Sequence, residues 1–276
     1  MKAIRSCVTA ATGAALVLSL TACGGTGDGG ERTPHAALKA AALKTTQQNS
    51  YRTKRWTEGS GQEPSSREEL AFQRKPELDE VKHWNRSGPA GASRTLRTSN
   101  AIYVMNKAGT PGAKWVKMEN DPPAGVRRPV DPEIKKRSEG YLPNMIGSLA
   151  TAKNLEKAGE ETVNGRPTTH FKGTVVPLEM EEYKGDVMSE AVRDNFASDR
   201  KMNHHVKAEI DLWIGEDDLV VKAQEVARTS RGESRTVEEY SGYGADPKIT
   251  IPRGDDVVPF DAPPREPAGR HKADDD

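Results

Sequence analysis

The stretch LEKAGEETVNGRPTTHFKGTV, residues 155–175, decides the fold of this chain. Two strand-like segments, residues 155–163 and 166–175, flank the dipeptide Asn164-Gly165. Asn and Gly both tolerate the positive φ angles that a two-residue type I′ turn requires at its central positions. The stretch therefore predicts a tight antiparallel hairpin.

Residues 206–214 show the clearest alternation of apolar and polar side chains in the chain. Such a two-residue period predicts a half-buried antiparallel strand. We expect the first residues of the next strand-like segment, residues 219–227, to lie beside the apolar face of residues 206–214. The alternating apolar residues of the two segments are Val206, Ala208, Ile210, Leu212 and Ile214, followed by Leu219, Val221 and Ala223.

Three segments are predicted to be helical. The first begins at Thr33-Pro34 and ends near residue 48, because Thr is a favoured N-cap and Pro a favoured first helical residue. The second, residues 143–152, carries Met145, Ile146 and Leu149 in one concentrated apolar region. The third covers residues 188–202. Further strands are predicted at residues 51–57, 68–74, 78–84, 93–97, 101–105, 115–118 and 234–243, with a last edge piece at 249–252.

The N-terminus has the layout of a secretory signal peptide: Lys2 and Arg5, an apolar run, then small residues before Cys23. Leu-Thr-Ala-Cys, residues 20–23, resembles the lipobox of bacterial lipoproteins. That resemblance implies that residues 1–22 are removed and that Cys23 carries a diacylglycerol thioether. The alternative is an ordinary secretory signal in which the cysteine is incidental. The glycine-rich residues 24–30 are typical of a flexible tether.

Composition excludes several classes of protein. The chain has 276 residues, with 41 basic and 41 acidic side chains. Removal of the signal peptide takes away two basic residues, Lys2 and Arg5, and no acidic one, so the net charge of the predicted mature chain is −2. Such a balance gives no basic surface for binding nucleic acid. A membrane-spanning helix needs a run of about 18 apolar residues, and the sequence after Cys23 contains no such run. The predicted mature chain has no cysteine besides the lipidated one, which excludes a thiol nucleophile, a disulfide and cysteine-based zinc sites.

No recognisable motif predicts an enzyme or a cofactor. The sequence has no nucleophile elbow, no phosphate-binding loop and no dinucleotide fingerprint. His204 and His205 are adjacent, so in a strand they would face opposite sides and could not chelate one ion. The acidic run at 216–218 suits a solvated turn better than a calcium loop. His170 either orients a ligand or occupies a hydrogen-bonding position in the sheet, and the second interpretation is favoured.

The order of elements resembles the LolA-like lipoproteins of actinobacteria, the LppX/LprG type. The segment GEETVNGRPTTHFKGTV at 159–175 carries most of the resemblance, with IDLWI at 210–214 and SGYGADPKITIP at 241–252. The resemblance implies an α+β fold in which a strongly curved antiparallel β half-barrel has helices packed on its concave face. It covers about residues 33–255, which leaves 1–22 as signal peptide, 23–32 as lipidated cysteine and tether, and 256–276 as a disordered tail.

In such proteins the space between sheet and helices holds acyl chains of lipids or glycolipids. We therefore expect a non-enzymatic protein anchored to the outer face of the cell membrane that binds a lipid or another amphiphile. The alternative is an interaction module with a collapsed cavity and another envelope protein as partner. The candidate lining residues are Met145, Ile146, Leu149, Val206, Ala208, Ile210, Leu212, Ile214, Leu219 and Val221; the same pattern also fits direct packing of the helices.

Overall fold

A computed structural model describes residues 32–59, 66–75, 78–85, 93–98, 100–105, 114–119, 133–230 and 232–260. The predicted signal peptide, Cys23, the tether up to residue 31 and residues 261–276 of the predicted tail lie outside the described residues.

The described residues form a single large sheet, four α-helices and one short 3₁₀ helix, Gly254–Asp256. The helices are α1 (Pro34–Gln47), α2 (Glu133–Ala150), α3 (Pro177–Met180) and α4 (Glu190–Met202). The strands are β1 (Ser50–Gly59), β2 (Ser66–Gln73), β3 (Leu78–Asn85), β4 (Ser93–Thr98), β5 (Ala101–Met105), β6 (Trp115–Glu119), β7 (Glu156–Val163), β8 (Arg166–Val175), β9 (His205–Gly215), β10 (Val220–Thr229), β11 (Gly232–Ser241) and β12 (Val257–Pro259).

The strand order is β12-β6-β5-β4-β3-β2-β1-β11-β10-β9-β8-β7. Every neighbouring pair is antiparallel except β12 and β6, which run parallel. The pairing of β1 with β11 joins the N-terminal meander to the C-terminal strands, which makes one curved open sheet. The predicted α+β class with a curved antiparallel sheet is confirmed.

The hairpin β7–β8 forms as its turn residues predict. Asn164 and Gly165 have φ angles of 52° and 76°, and Val163 pairs with Arg166 across the turn. Both angles lie in the left-handed region that a type I′ turn requires. The first helix is also confirmed, because the Thr33 hydroxyl caps it by accepting a hydrogen bond from the Ala36 amide.

Two boundaries differ from the sequence prediction. Helix α2 begins at Glu133 and runs through Pro143 to Ala150, whereas the sequence prediction placed this helix at residues 143–152. The last strand is β12 at Val257–Pro259, within the predicted tail, and the predicted edge piece at 249–252 is not a strand. Ile249 and Ile251 instead pack their side chains on a small cluster at the β4–β6 end of the sheet.

The helices and the main core lie on one face of the sheet, which we call the concave face. Leu38 and Ala41 of α1, together with Ile146 and Leu149 of α2, belong to the same buried cluster as Leu212 of β9. A second cluster, built on Leu96, Ala101, Tyr103 and Trp115, occupies the opposite face at the β4–β6 end. The two clusters thus anchor opposite faces and opposite ends of one sheet.

Candidate functional site

The apolar half of the concave face is formed by inward-facing residues of three neighbouring strands. These residues are Phe171 and Val175 of β8, Ala208, Ile210, Leu212 and Ile214 of β9, and Val220 and Ala223 of β10. All of them are buried in one cluster with α1 and α2. Alternation along each strand places these side chains on the same side as the helices.

Helix α2 ends in direct contact with this half. A Cβ atom added at Gly173 of β8 would lie 2.8 Å from the Ala152 Cβ and 3.1 Å from the Leu149 Cδ1. The absence of a side chain at Gly173 therefore lets the end of α2 approach the sheet backbone. His35 of α1 makes a hydrogen bond of 3.1 Å to the Ala150 carbonyl, which links the two helices at this point.

Seven of the ten predicted lining residues lie in this buried cluster: Met145, Ile146, Leu149, Ala208, Ile210, Leu212 and Ile214. Two others, Leu219 and Val221, are buried outside it. A register shift between Val220 and Lys222 explains their position, because it puts Val220 rather than Val221 opposite Ile214. A β-bulge of this kind breaks the two-residue period that the sequence prediction assumed.

Val206 does not line the concave face, and its prediction is wrong. Its side chain is 62% exposed. A second register shift, between Arg228 and Thr229, pairs Lys207 and His205 with successive residues of β10 and leaves Val206 without a partner. The bulge lies at the start of β9, where Val206 is open to solvent.

The polar half of the concave face continues the same rows of the sheet. We define it by Thr236 and Glu238 of β11, Thr53, Arg55 and Thr57 of β1, and Glu68 of β2. One row runs Phe171, Leu212, Ala223, Glu238, Arg55, Glu68, so this row changes from apolar to charged between β10 and β11. Sequence reasoning missed this half because, in a chain with 30% charged residues, no local pattern shows which acidic side chains point inward.

The charged groups of the polar half are joined by ion pairs and hydrogen bonds. Arg55 donates through Nε to Glu238 and through Nη1 to the Glu68 Oε2, the latter at 3.1 Å. The Tyr240 hydroxyl donates to the other oxygen of Glu238. Burial raises the pKa of Glu238, while the Arg55 charge and the Tyr240 hydrogen bond act against this increase. The carboxyl group therefore depends on these two partners for its charged form.

A buried ion pair marks the boundary between the two halves. Arg200 of α4 donates to Glu225 of β10, and both side chains are at least nine-tenths buried. The same Arg200 Nη1 lies 3.2 Å from the His205 Nδ1. Burial, and then the Arg200 charge, lower the pKa of His205, so its imidazole favours the neutral form. Helix α4 is thus held to the sheet by a salt bridge.

One polar side chain of this half is buried without a hydrogen bond. The Thr53 Oγ1 has no partner, and the residue is 6% exposed. Thr53 lies in β1 between Tyr240 of β11 and Leu70 of β2. By contrast, the hydroxyls of Thr57 and Thr236 lie 3.2 Å apart and bond to each other. Buried polar groups are nearly always paired, so the Thr53 hydroxyl is an exception that needs a reason.

His170 lies on the face opposite the helices. Its Nδ1 is 3.0 Å from Glu161, its Nε2 is 2.8 Å from Asp211, and its ring stacks on Trp213 at 4.4 Å. The Trp213 Nε1 donates to the second oxygen of Glu161 at 3.0 Å. This geometry supports the favoured interpretation of His170 as a hydrogen-bonding position in the sheet.

The acidic run after Gly215 forms a turn. Arg166 donates to both oxygens of Asp217 at 2.8 Å, and Asp218 accepts from Arg32 at 2.5 Å.

Within the described residues, no group of three or more His, Cys, Asp or Glu side chains is arranged to hold a metal ion. Over the same residues, none of the helices combines the length and the apolar character needed to cross a bilayer.

Curated proteins with similar sequences come from Streptomyces. An uncharacterised 31.2 kDa protein of Streptomyces griseus, encoded between rplA and rplJ, is 24% identical over 154 residues, which cover 55% of this chain and 50% of that protein. A candidate lipoprotein of Streptomyces coelicolor is 30% identical over 112 residues, which cover 41% and 30%. The chain therefore spans half or less of the length of these relatives. The chain matches no protein-family model.

Similar solved structures include two mycobacterial proteins. LprF from Mycobacterium bovis is 16% identical with a TM-score of 0.48, covering 80% of this chain and 96% of LprF. The lipoprotein LppX from Mycobacterium tuberculosis is 12% identical with a TM-score of 0.48, covering 76% and 94%.

Proposed function

We propose that this protein is a membrane-anchored lipoprotein of the cell envelope that binds an amphiphile between the sheet and the helices. The observation that carries the proposal is the change along one row of the concave face, from Leu212 and Ala223 to Glu238 and Arg55. A molecule with an acyl chain and a polar head matches a surface that is apolar at one end and polar at the other.

The acyl chain would occupy the apolar half. Met145, Ile146 and Leu149 of α2 are fully or almost fully buried there. An entering chain would replace contacts that α2 makes with β8 and β9. Burial of each CH₂ group contributes about 0.8 kcal/mol, so a long acyl chain can offset the loss of several side-chain contacts.

The anchor would be the lipid on Cys23, followed by the glycine-rich tether. The candidate-lipoprotein description of the Streptomyces coelicolor relative supports this part of the proposal. Two or three acyl chains hold a protein firmly to a bilayer, whereas one chain binds only marginally. Replacing Cys23 with Ser and fractionating cells tests the anchor: the variant should leave the membrane fraction, and unchanged attachment would refute the lipoprotein proposal.

Native mass spectrometry tests amphiphile binding. The mature chain carrying Cys23→Ser, purified without detergent, should show a reproducible added mass that organic solvent releases. A diazirine-bearing fatty acid then locates the binding site, with labels expected on α2 and β9 near Leu149 and Leu212. Labels near Trp213 or Lys222, on the opposite face, would place binding elsewhere. A clean mass with no uptake of offered fatty acid would contradict the proposal.

The second candidate is an interaction module without a bound lipid. Direct packing of α2 on the apolar half favours it, as do three exposed apolar side chains where β8 ends and β9 begins: Leu178, Met202 and Val206. Under this alternative these residues would contact another envelope protein. The mass measurement separates the two candidates, because only the amphiphile-binding protein carries a releasable ligand.

A further inference from the structure

Helix α4 is attached to the rest of the protein mainly through arginines. Its buried residues are Arg193, Ala197 and Arg200, which lie on one side of the helix because they are four and three positions apart. Arg193 donates to the Tyr183 carbonyl at 2.6 Å, and Arg200 donates to Glu225 of β10. The buried residues of α1, in contrast, are four apolar side chains and one threonine. The attachment of α4 is therefore sensitive to a change of charge near its arginines.

His205 lies beside the second of these arginines. Only Asn203 and His204 separate the end of α4 from β9, which begins at His205. The Arg200 Nη1 donates both to Glu225 and to the His205 Nδ1, which is 3.2 Å away. A guanidinium group can only donate, so this Nδ1 must accept, and it can accept only while it carries no hydrogen. The contact therefore requires a neutral imidazole.

Protonation of His205 would place a positive charge next to this guanidinium group. Among the described residues, the charged groups that act on the imidazole are Arg200 and Asp199 of α4 and Glu225 of β10. Burial first, and then the Arg200 charge, lower the pKa of His205, while the two carboxylates act against this decrease. The protein with α4 attached therefore binds this proton less tightly than the protein with α4 released. The attachment is favoured at high pH and weakens as pH falls below the unperturbed pKa of about 6.5.

We propose that His205 is a pH-sensitive latch for α4: the neutral imidazole accepts from Arg200, and protonation weakens the attachment of the helix to β9 and β10. Ala197 of α4 belongs to the main buried cluster and Phe196 packs against it, so release of α4 would uncover that side of the concave face. The latch itself requires no bound amphiphile. Its use as an entry that opens in acid rests on the proposed function.

Hydrogen exchange measures the attachment of α4 without a ligand. The mature chain carrying Cys23→Ser, which we call the parent, is exchanged at pH 8 and at pH 5 and analysed by mass spectrometry of its peptic fragments. Comparison with the urea-unfolded chain at the same pH removes the pH dependence of the exchange chemistry. The protection of α4 should fall about tenfold from pH 8 to pH 5, the size of one hydrogen bond to a charged group. Helix α1, which is attached through apolar side chains, should keep its protection.

Two substitutions identify the titrating group. His205→Asn removes the titration and keeps an acceptor for Arg200, so its α4 should be equally protected at both pH values. His204→Asn is the matched control, because His204 is the neighbouring residue and is exposed. Its φ angle of 57° is one that asparagine tolerates. This variant should lose α4 protection in acid as the parent does.

The outcomes decide the proposal whether or not a variant folds, because the parent carries no substitution at His205. Loss of α4 protection in acid in the parent and in His204→Asn, but not in His205→Asn, supports the latch. Equal protection of α4 at both pH values in the parent would overturn it, and so would an equal loss in His205→Asn. A loss shared by α1 and α4 would also overturn it, because the whole fold would then be opening. Since no ligand is present, failure of the latch leaves amphiphile binding to the mass measurement described above.

Discussion

The apolar and polar halves of the concave face belong to the same rows of one sheet but are stabilised in different ways. Leu212 of β9 and Arg55 of β1 lie in the same row, separated by two strands. The apolar half faces the helices and is stabilised by removing hydrocarbon from water, a term that is proportional to area and has no preferred direction. The polar half is stabilised by specific ion pairs and hydrogen bonds, so the contribution of each polar group to stability depends on whether that group has a partner.

This difference leads to opposite expectations for single substitutions. In the apolar half the loss depends on the volume removed, and neighbouring side chains relax to reduce it. In the polar half the loss of stability depends on the partner that the substitution leaves behind, because a buried charge or hydrogen-bonding group without a partner is unfavourable. The buried pair Arg200–Glu225 lies where the two halves meet and provides the sharpest test.

Replacing Arg200 with Met should give the largest effect. The substitution leaves the Glu225 carboxylate buried without its cation, and removing one member of such a pair lowers the free energy of unfolding by about 3–5 kcal/mol. Urea unfolding of the Cys23→Ser chain measures the change. The double variant Arg200→Met, Glu225→Gln should recover most of the lost stability, since it leaves no unpaired charge.

Arg228→Met is the control for that experiment. Arg228 pairs with Glu233 at 2.9 Å, but both side chains are well exposed to solvent. Exposed pairs contribute little to stability, so the unfolding midpoint should not change measurably. Equal effects of Arg200→Met and Arg228→Met would show that burial of the first pair has no energetic consequence.

Leu212→Ala should give the next largest effect and tests the apolar half. The residue is fully buried, and truncating a buried leucine costs about 3 kcal/mol through lost burial and the cavity left behind. Val206→Ala is the matched control on the same strand, because Val206 is exposed, and its effect should be within about 0.5 kcal/mol of zero. A loss below 1 kcal/mol for Leu212→Ala would mean that α2 does not pack tightly against β9.

The pH dependence of stability tests Glu238. Burial raises the pKa of Glu238 in the folded protein, so the folded state binds the carboxyl proton more tightly than the unfolded chain does. The stabilisation that this proton provides is fully present below the unfolded pKa of about 4.3 and is lost as pH rises through the folded pKa. The uncharged variant Glu238→Gln lacks this dependence. Thermal unfolding from pH 4 to pH 8 should therefore show the variant gaining stability relative to the parent as pH rises. Parallel curves would contradict the raised pKa.

Local patterns in the sequence predicted much of the fold. The Asn164-Gly165 turn and the Thr33 cap follow from the conformational preferences of those residues, and both form. The alternation over residues 208–214 correctly identified the inward side of β9. These features depend on neighbours within a few positions along the chain, which is why they can be read without the structure.

The polar half could not be predicted in the same way. Its pairs join residues far apart in sequence, such as Arg55 with Glu238 and Arg200 with Glu225. In a chain with 30% charged residues, nothing local distinguishes an inward Glu from a solvated one. The bulge between Val220 and Lys222 also reverses the alternation, so a strict two-residue period assigns Val221 instead of Val220 to the row of Ile214.

The smallest expected effect compares two threonines within the polar half. Thr236→Val removes the partner of the Thr57 hydroxyl, at 3.2 Å, and should lower the free energy of unfolding by about 1 kcal/mol. Thr53→Val removes a buried hydroxyl that has no partner, so stability should be unchanged or slightly increased. Urea unfolding of both variants without ligand measures the difference. A loss of stability in Thr53→Val as large as that in Thr236→Val would mean that the Thr53 hydroxyl has a partner within the protein.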